Sequence, residues 1–87
     1  MKLKDGFVIR EIAGQYLLIP TGLNIVEFNG AALLNEVSAF ILSQMQEEIT
    51  EDELVDAICS VYDVNSQQAA YDLYNILREF RELNILE

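Results

Sequence analysis

The chain has 87 residues, 52% of them hydrophobic, with one Pro and four Gly; this is a globular composition, and the length means one domain, residues 1–87, of modest stability. Its formal charge is −10, from five basic and fifteen acidic side chains, which leaves too little positive surface for nucleic acid or for an anionic membrane. No apolar run approaches the ~20 residues that span a bilayer, Met1–Asp5 lacks the apolar core of a signal peptide, and a lone cysteine permits no internal disulfide, so a cytoplasmic location is expected.

Phe7 to Ile12 is rich in β-branched and aromatic residues and reads as a first strand. Ala13-Gly14 is a break short enough for a tight hairpin, and Gln15 to Ile19 reads as the second strand, ended by Pro20. Leu23 to Phe28 reads equally as an extended segment or as one helical turn. Asn29-Gly30 is a turn signal that launches a third strand, Ala31 to Leu34. Here the chain changes character: Asn35 caps a helix expected from Glu36 to about Gln46, with Val37, Phe40, Ile41 and Met45 on its apolar face. Thr50-Glu51-Asp52-Glu53 matches a capping box, flanked by Ile49 and Leu54 at staple spacing. The second helix then presents Leu54, Val55, Ile58, Val61 and Tyr62. Asn65 and Gln68 repeat the cap pattern. A third helix from Ser66 to about Leu83 buries Ala69, Leu73, Ile76, Leu77 and Phe80, and Asn84 is its stop. Ile85-Leu86 is expected to fold back onto the core. Strands followed by helices argue an α+β fold, winged-helix-like in outline: a three-stranded antiparallel sheet followed by a three-helix bundle.

Little here can do chemistry. Histidine is absent, and with it the commonest general base and metal ligand. Cys59, the only thiol, lies on the flank of the second helix's apolar face and reads as a small packed hydrophobe. The carboxylates of Glu51-Asp52-Glu53 sit where the helix dipole favours acid in any case. Neither a metal nor a cofactor is implied, and nothing supports an enzyme acting by itself.

Surfaces remain. The third strand has no fourth strand in the sequence to cover it, and Ala31, Ala32, Leu33 and Leu34 carry neither charge nor Pro to blunt a bare edge. A partner peptide adding there as a strand would explain the edge. Leu23 to Phe28, or a second copy of the chain in a homodimer, would cover it equally well. On the third helix, Tyr71, Tyr74, Arg78 and Arg81 fall on one stripe beside the core face, residue types favoured at binding hot spots and also ordinary at a core boundary. The opposite flank carries Asp72, Asn75 and Glu79.

Leu34-Asn35-Glu36 entering the first helix resembles the PqqD family, small recognition elements for the leaders of ribosomally made, modified peptides. Glu51-Asp52-Glu53-Leu54 is similar to the family's acidic Glu-Glu-Leu stretch, and Tyr62-Asp63-Val64 to its Tyr-Asp-Val triplet. Asp72-Leu73 and Ile76-Leu77 resemble its third-helix pairs, and Ile85-Leu86 its Leu-rich ending. The likeness covers nearly the whole chain. Ser38, Leu42 and Gln44 stand where Gly, Trp and an apolar residue are usual, which is expected to weaken the first helix's part in the core. The segment Leu23 to Phe28 is longer than the family's usual connection. The resemblance implies a non-catalytic peptide chaperone whose partners are a precursor (leader) peptide and a modifying enzyme, often a radical S-adenosylmethionine enzyme that holds the cofactors itself. It further implies a leader added to the third strand, in a cleft lined by Ala31 to Leu34 and by one flank of the helix from Tyr71 to Arg81. The readings from other classes are a winged-helix transcriptional regulator, which the charge opposes, and a structural subunit.

Overall fold

The computed structural model describes residues 1–28 and 30–87. Strands β1 (Phe7–Ile12) and β2 (Gln15–Pro20) form an antiparallel hairpin closed by Ala13 and Gly14. Both turn residues have positive φ, 53° and 80°. That is the conformation whose twist matches the flanking strands, and Ala13 adopts it in spite of its Cβ. After Pro20 the chain makes a short helix, α1 (Asn24–Phe28), so Leu23 to Phe28 contains a helical turn. Asn24 fastens this turn to the base of β1, its side-chain amide donating to the carbonyls of Asp5 (2.8 Å) and Gly6 (3.1 Å). A Cβ at Gly6 would collide with that amide, and Gly6 has φ 87°, so the position requires glycine. Phe28 then meets Phe7 edge to face, with ring centroids 5.2 Å apart.

Strand β3 (Ala32–Leu34) pairs antiparallel with β2, giving the order β1-β2-β3. The strand begins one residue later than expected, at Ala32. Of the Asn29-Gly30 turn signal, Asn29 lies outside the described residues. Helices α2 (Glu36–Gln44), α3 (Glu51–Val61) and α4 (Ser66–Leu83) follow, so the described residues contain four helices where three were expected. All three caps are made as the sequence indicates. Asn35 and Asn65 accept from the amides of Ser38 and Gln68, each at 2.8 Å. Thr50 and Glu53 bond reciprocally at 3.1 Å. Asn84 ends α4 in the left-handed region, φ 58°. Helix α2 stops at Gln44 rather than about Gln46 because Met45 leaves helical geometry, with its amide bonded to Leu42.

The core lies between the inner face of the sheet and α2–α4. It contains Leu18, Leu34, Ile41, Leu42, Met45, Leu54, Ile58, Ala69, Leu73, Leu77 and Phe80, all buried. Helix α2 is not a weak contributor: Leu42 is fully buried and Ser38 nearly so. Val37 and Phe40 are only partly buried, as is Ile76 on α4, and Val61 on α3 is 59% exposed, outside the core where the helical spacing had placed it. The termini complete the packing. Leu3 bridges to Leu86, Lys4 N–H donates to the Ile85 carbonyl (2.8 Å), and Leu3 N–H to the Met45 carbonyl (2.9 Å). Ile85 is fully buried, as the folded-back ending requires, and Leu3 joins it in the core.

Candidate functional site

The direction in which β3 offers its backbone follows from the register. Thr21 N–H donates to the Gly6 carbonyl at 2.7 Å, so the pair one step beyond Phe7↔Pro20 is hydrogen-bonded. Hydrogen-bonded and non-bonded pairs alternate along an antiparallel ladder. Odd-numbered β2 residues therefore bond β1, and even-numbered Tyr16 and Leu18 turn their amides and carbonyls towards β3. Pro20, which has no N–H, falls at a non-bonded position. Tyr16 pairs with Leu34 and Leu18 with Ala32. Leu33, between them, points its N–H and C=O away from β2, to the free edge. That edge is only three residues long, and shortness is itself a way to blunt it. The ties of helix α1 run to Asp5, Gly6 and Phe7 at the base of β1.

Just past the end of β3 is a hollow of about 440 Å³ lined by Asn35, Glu36, Val37, Asp72, Asn75 and Ile76, and it shares Asn35 and Glu36 with a second hollow of the same size that Leu33 and Leu34 line with Gly14, Gln15 and Tyr16. One wall of the first hollow is the turn of α2 that directly follows β3, and the other is one flank of α4. Asp72, Ile76, Glu79 and Leu83 recur at steps of four, three and four, which keeps them on that flank. At its lower end Leu83 lines a further recess with Lys4, Phe7, Asn24 and Phe28, next to the segment that leads into β3. The flank thus runs alongside the free edge from the end of β3 back towards its start. Its length from Asp72 to Leu83 is about 16 Å at 1.5 Å per residue, which equals roughly five residues of extended chain.

The expected aromatic and basic stripe lies elsewhere. Tyr74 and Arg81 line a trough between α4 and α3 with Glu51, Asp52 and Val55, and Tyr71 and Arg78 are exposed. The physical reason is the side of α4 on which each neighbouring helix packs. With Leu73, Leu77 and Phe80 pointing inward, the side chains on one side of that line face α3 and those on the other face α2. Of the residues expected to line one cleft, Ala32, Leu33 and Leu34 are at the free edge, Ala31 immediately precedes it, and Tyr71, Tyr74, Arg78 and Arg81 are not beside it. Helical spacing assigns Val37 and Ile76 to the core. The signal that marks them as groove residues is their position at the rim of the apolar faces, beside polar Glu36 and Asn75.

On the other side of α2, Phe40 and Tyr62 stack edge to face at 5.6 Å and, with Ile9, Tyr16 and Val61, line a further hollow of about 430 Å³. Burial pushes the Tyr62 hydroxyl above its usual pKa, with smaller contributions from the negative charge of Glu36 and from Tyr16, so it stays protonated. Cys59 is partly buried against the core. Among the described residues no group of three or more His, Cys, Asp or Glu side chains is placed to hold a metal ion, and no helix is long and apolar enough to cross a membrane.

Compared with known proteins, residues 14–86 match the model of the family described as coenzyme PQQ synthesis protein D (PqqD). The chain belongs to the PqqD family. No curated protein matches its sequence. Among solved structures it is similar to TbiB1 in complex with the TbiA(beta) leader peptide, with 29% identity and a TM-score of 0.78 over 100% of this chain and 95% of that one. It shares the fold of a lasso peptide synthetase B1 complexed with the leader peptide, at 15% identity and a TM-score of 0.74 over 99% of this chain and 95% of that one. The α+β architecture, a three-stranded antiparallel sheet followed by helices, matches that of these structures.

Proposed function

We propose that this chain is a peptide-recognition domain that binds the leader of a ribosomally made precursor peptide as an added strand on β3. It then presents that precursor to a separate modifying enzyme, of the radical S-adenosylmethionine type that the family resemblance implies, and performs no catalysis itself. The observation that carries the reading is the outward N–H and C=O of Leu33, on an edge strand whose end leads into the hollow between Val37 and Ile76. The two similar structures described above, both holding leader peptides, support it.

Energetics divide the work between backbone and side chains. An edge this short offers two to four main-chain hydrogen bonds, each worth about 0.5–1.5 kcal/mol net. Micromolar binding requires about −8 kcal/mol, and association itself costs several kcal/mol. The strand pairing therefore sets register and direction, while apolar side chains in the hollow supply most of the affinity. The test is a titration of the isotopically labelled chain with leaders of candidate precursors, followed by amide shifts. The expected result is a dissociation constant in roughly the micromolar range, with shifts at Leu33 and along Asp72 to Leu83. Shifts confined to the trough of Tyr74 and Arg81 would overturn strand addition at β3.

A further inference from the structure

Resting on the leader-binding reading, we propose that the captured segment is basic: an aliphatic side chain seats between Val37 and Ile76, and Lys or Arg side chains beside it on the same strand face pair with Asp72, Glu36 and Glu79. The argument is one of charge placed around an apolar slot. The hollow at the end of β3 is lined by two aliphatic side chains, two amides and two carboxylates. Asp72 accepts one hydrogen bond, from the Gln68 side chain at 2.9 Å through Oδ1, which leaves Oδ2 available to an incoming donor. Glu79 continues the same flank one turn beyond Asn75 and Ile76, and Glu27 lines the recess at its lower end.

All five cations of the chain can be accounted for. Arg78 and Arg81 are off this flank of α4, the latter in the trough facing α3. Lys2 is engaged by Glu87 (3.4 Å) and Asp5 (3.8 Å). Arg10 pairs across from Leu17, whose neighbour Leu33 is 67% exposed on the outer sheet face. Only Lys4 borders the groove, at its lower end, against Glu27, Glu36, Asp72 and Glu79. The amino end of α2 does not reverse the sign. Its free N–H groups would favour an anion, but Asn35 Oδ1 already accepts from Ser38, and the Glu36 carboxylate stands at the same turn. An acidic peptide laid on this edge would meet like charge along its length, whereas a basic one would be drawn in and fixed in register. Side chains on one face of a strand recur every second residue, so the pattern is an aliphatic residue with basic residues two positions away, over the roughly five residues that the flank can cover.

The experiment is selection from a displayed library of random dodecapeptides on the full chain and on three variants. The first, Asp72→Asn with Glu79→Gln, neutralises the groove. The second, Glu51→Gln with Asp52→Asn, removes the same net charge at the start of α3. The third is Leu33→Pro, and the Leu33 amide resonance of the parent is followed with every enriched peptide in case that variant does not fold. The expected result is enrichment of peptides with an aliphatic and a basic residue two positions apart on the parent and on the α3 variant, and loss of the base preference on the groove variant. Replacing the base by Gln in an enriched peptide should weaken binding about tenfold at low salt, with the gap closing as salt rises. Apolar peptides that move the Leu33 resonance without base preference would overturn the basic specificity and leave strand addition standing. A base preference reduced equally in both charge variants would overturn it as well, in favour of the net charge acting at long range. Enriched peptides that leave the Leu33 resonance unmoved would overturn strand addition itself, and the specificity with it.

Discussion

Ala13 holds φ 53° at the first turn position of the hairpin, where its Cβ crowds the following carbonyl at a cost of about 1–2 kcal/mol. Asn tolerates that conformation and is the preferred residue there. Ala13→Asn is therefore expected to raise stability by about 0.5–1 kcal/mol, read from denaturant melts, with the sheet otherwise unchanged. A second local effect is electrostatic. Glu53 reaches back to the Thr50 amide, and the hydrogen bonds with Thr50 hold its carboxyl below the usual range. A lowered folded-state pKa means stability that is present above the unfolded value and is lost as pH falls through the folded one. The parent should therefore lose more stability between pH 7 and pH 3 than Glu53→Gln, whose amide keeps a neutral capping box. The check is thermal melts of both proteins across that range. Equal losses would mean that the capping carboxylate makes no net contribution.

Strand β3 turns one register assignment into two opposite mutant phenotypes. The Ala32 N–H belongs to the ladder with β2, and that of Leu33 faces outward. Proline removes the N–H and is tolerated in a sheet only where that N–H faces outward on an edge. Ala32→Pro is expected to lower stability by about 1–3 kcal/mol by orphaning a carbonyl inside the sheet. Leu33→Pro should fold with near-parental stability and lose most of its leader binding. Calorimetry with a leader beside a thermal melt separates the two. The converse pattern would mean that the pairing parity is reversed. Sequence reasoning leaves β3 as an edge strand, as the sheet order has it, and names the Tyr74 flank of α4, whereas the hollow at the end of β3 is lined from the Asp72 flank. An uncovered third strand follows from counting strands, but the surroundings of each α4 flank depend on packing. Helical spacing alone puts Ile76 within the core face, whereas packing leaves it at the rim, and the sides on which α2 and α3 pack put the Asp72 flank in the hollow with α2 and the Tyr74 flank in the trough with α3.

Taken together, the fold is a strongly acidic body with an apolar slot along one edge. Its cations are dispersed: Lys2 and Lys4 at the chain's start, Arg10 on the hairpin, and Arg78 and Arg81 on α4 away from the edge. Duplex DNA binding needs several clustered cations to release counterions. The expectation is no binding tighter than roughly 10⁻⁴ M at physiological salt. A gel shift at low-micromolar protein that survives added salt would favour a regulator over a peptide chaperone. Much of the architecture is legible in the residues alone, because its signals are short-range. Asn35, Thr50, Asn65 and Asn84 mark helix ends through bonds to amides or carbonyls a few positions away, and Ala13-Gly14 marks the hairpin through its own dihedrals. The helical turn at Asn24–Phe28 was ambiguous because the contacts that set it are distant in sequence: Asn24 to Asp5 and Gly6, and Phe28 to Phe7. The place of Leu3 in the core was invisible for the same reason, since its partners are Met45 and Leu86. The groove depends on contacts of the same kind. Its walls come from residues almost forty positions apart, Glu36–Val37 and Asp72–Ile76, and no local pattern specifies which faces of two helices will meet.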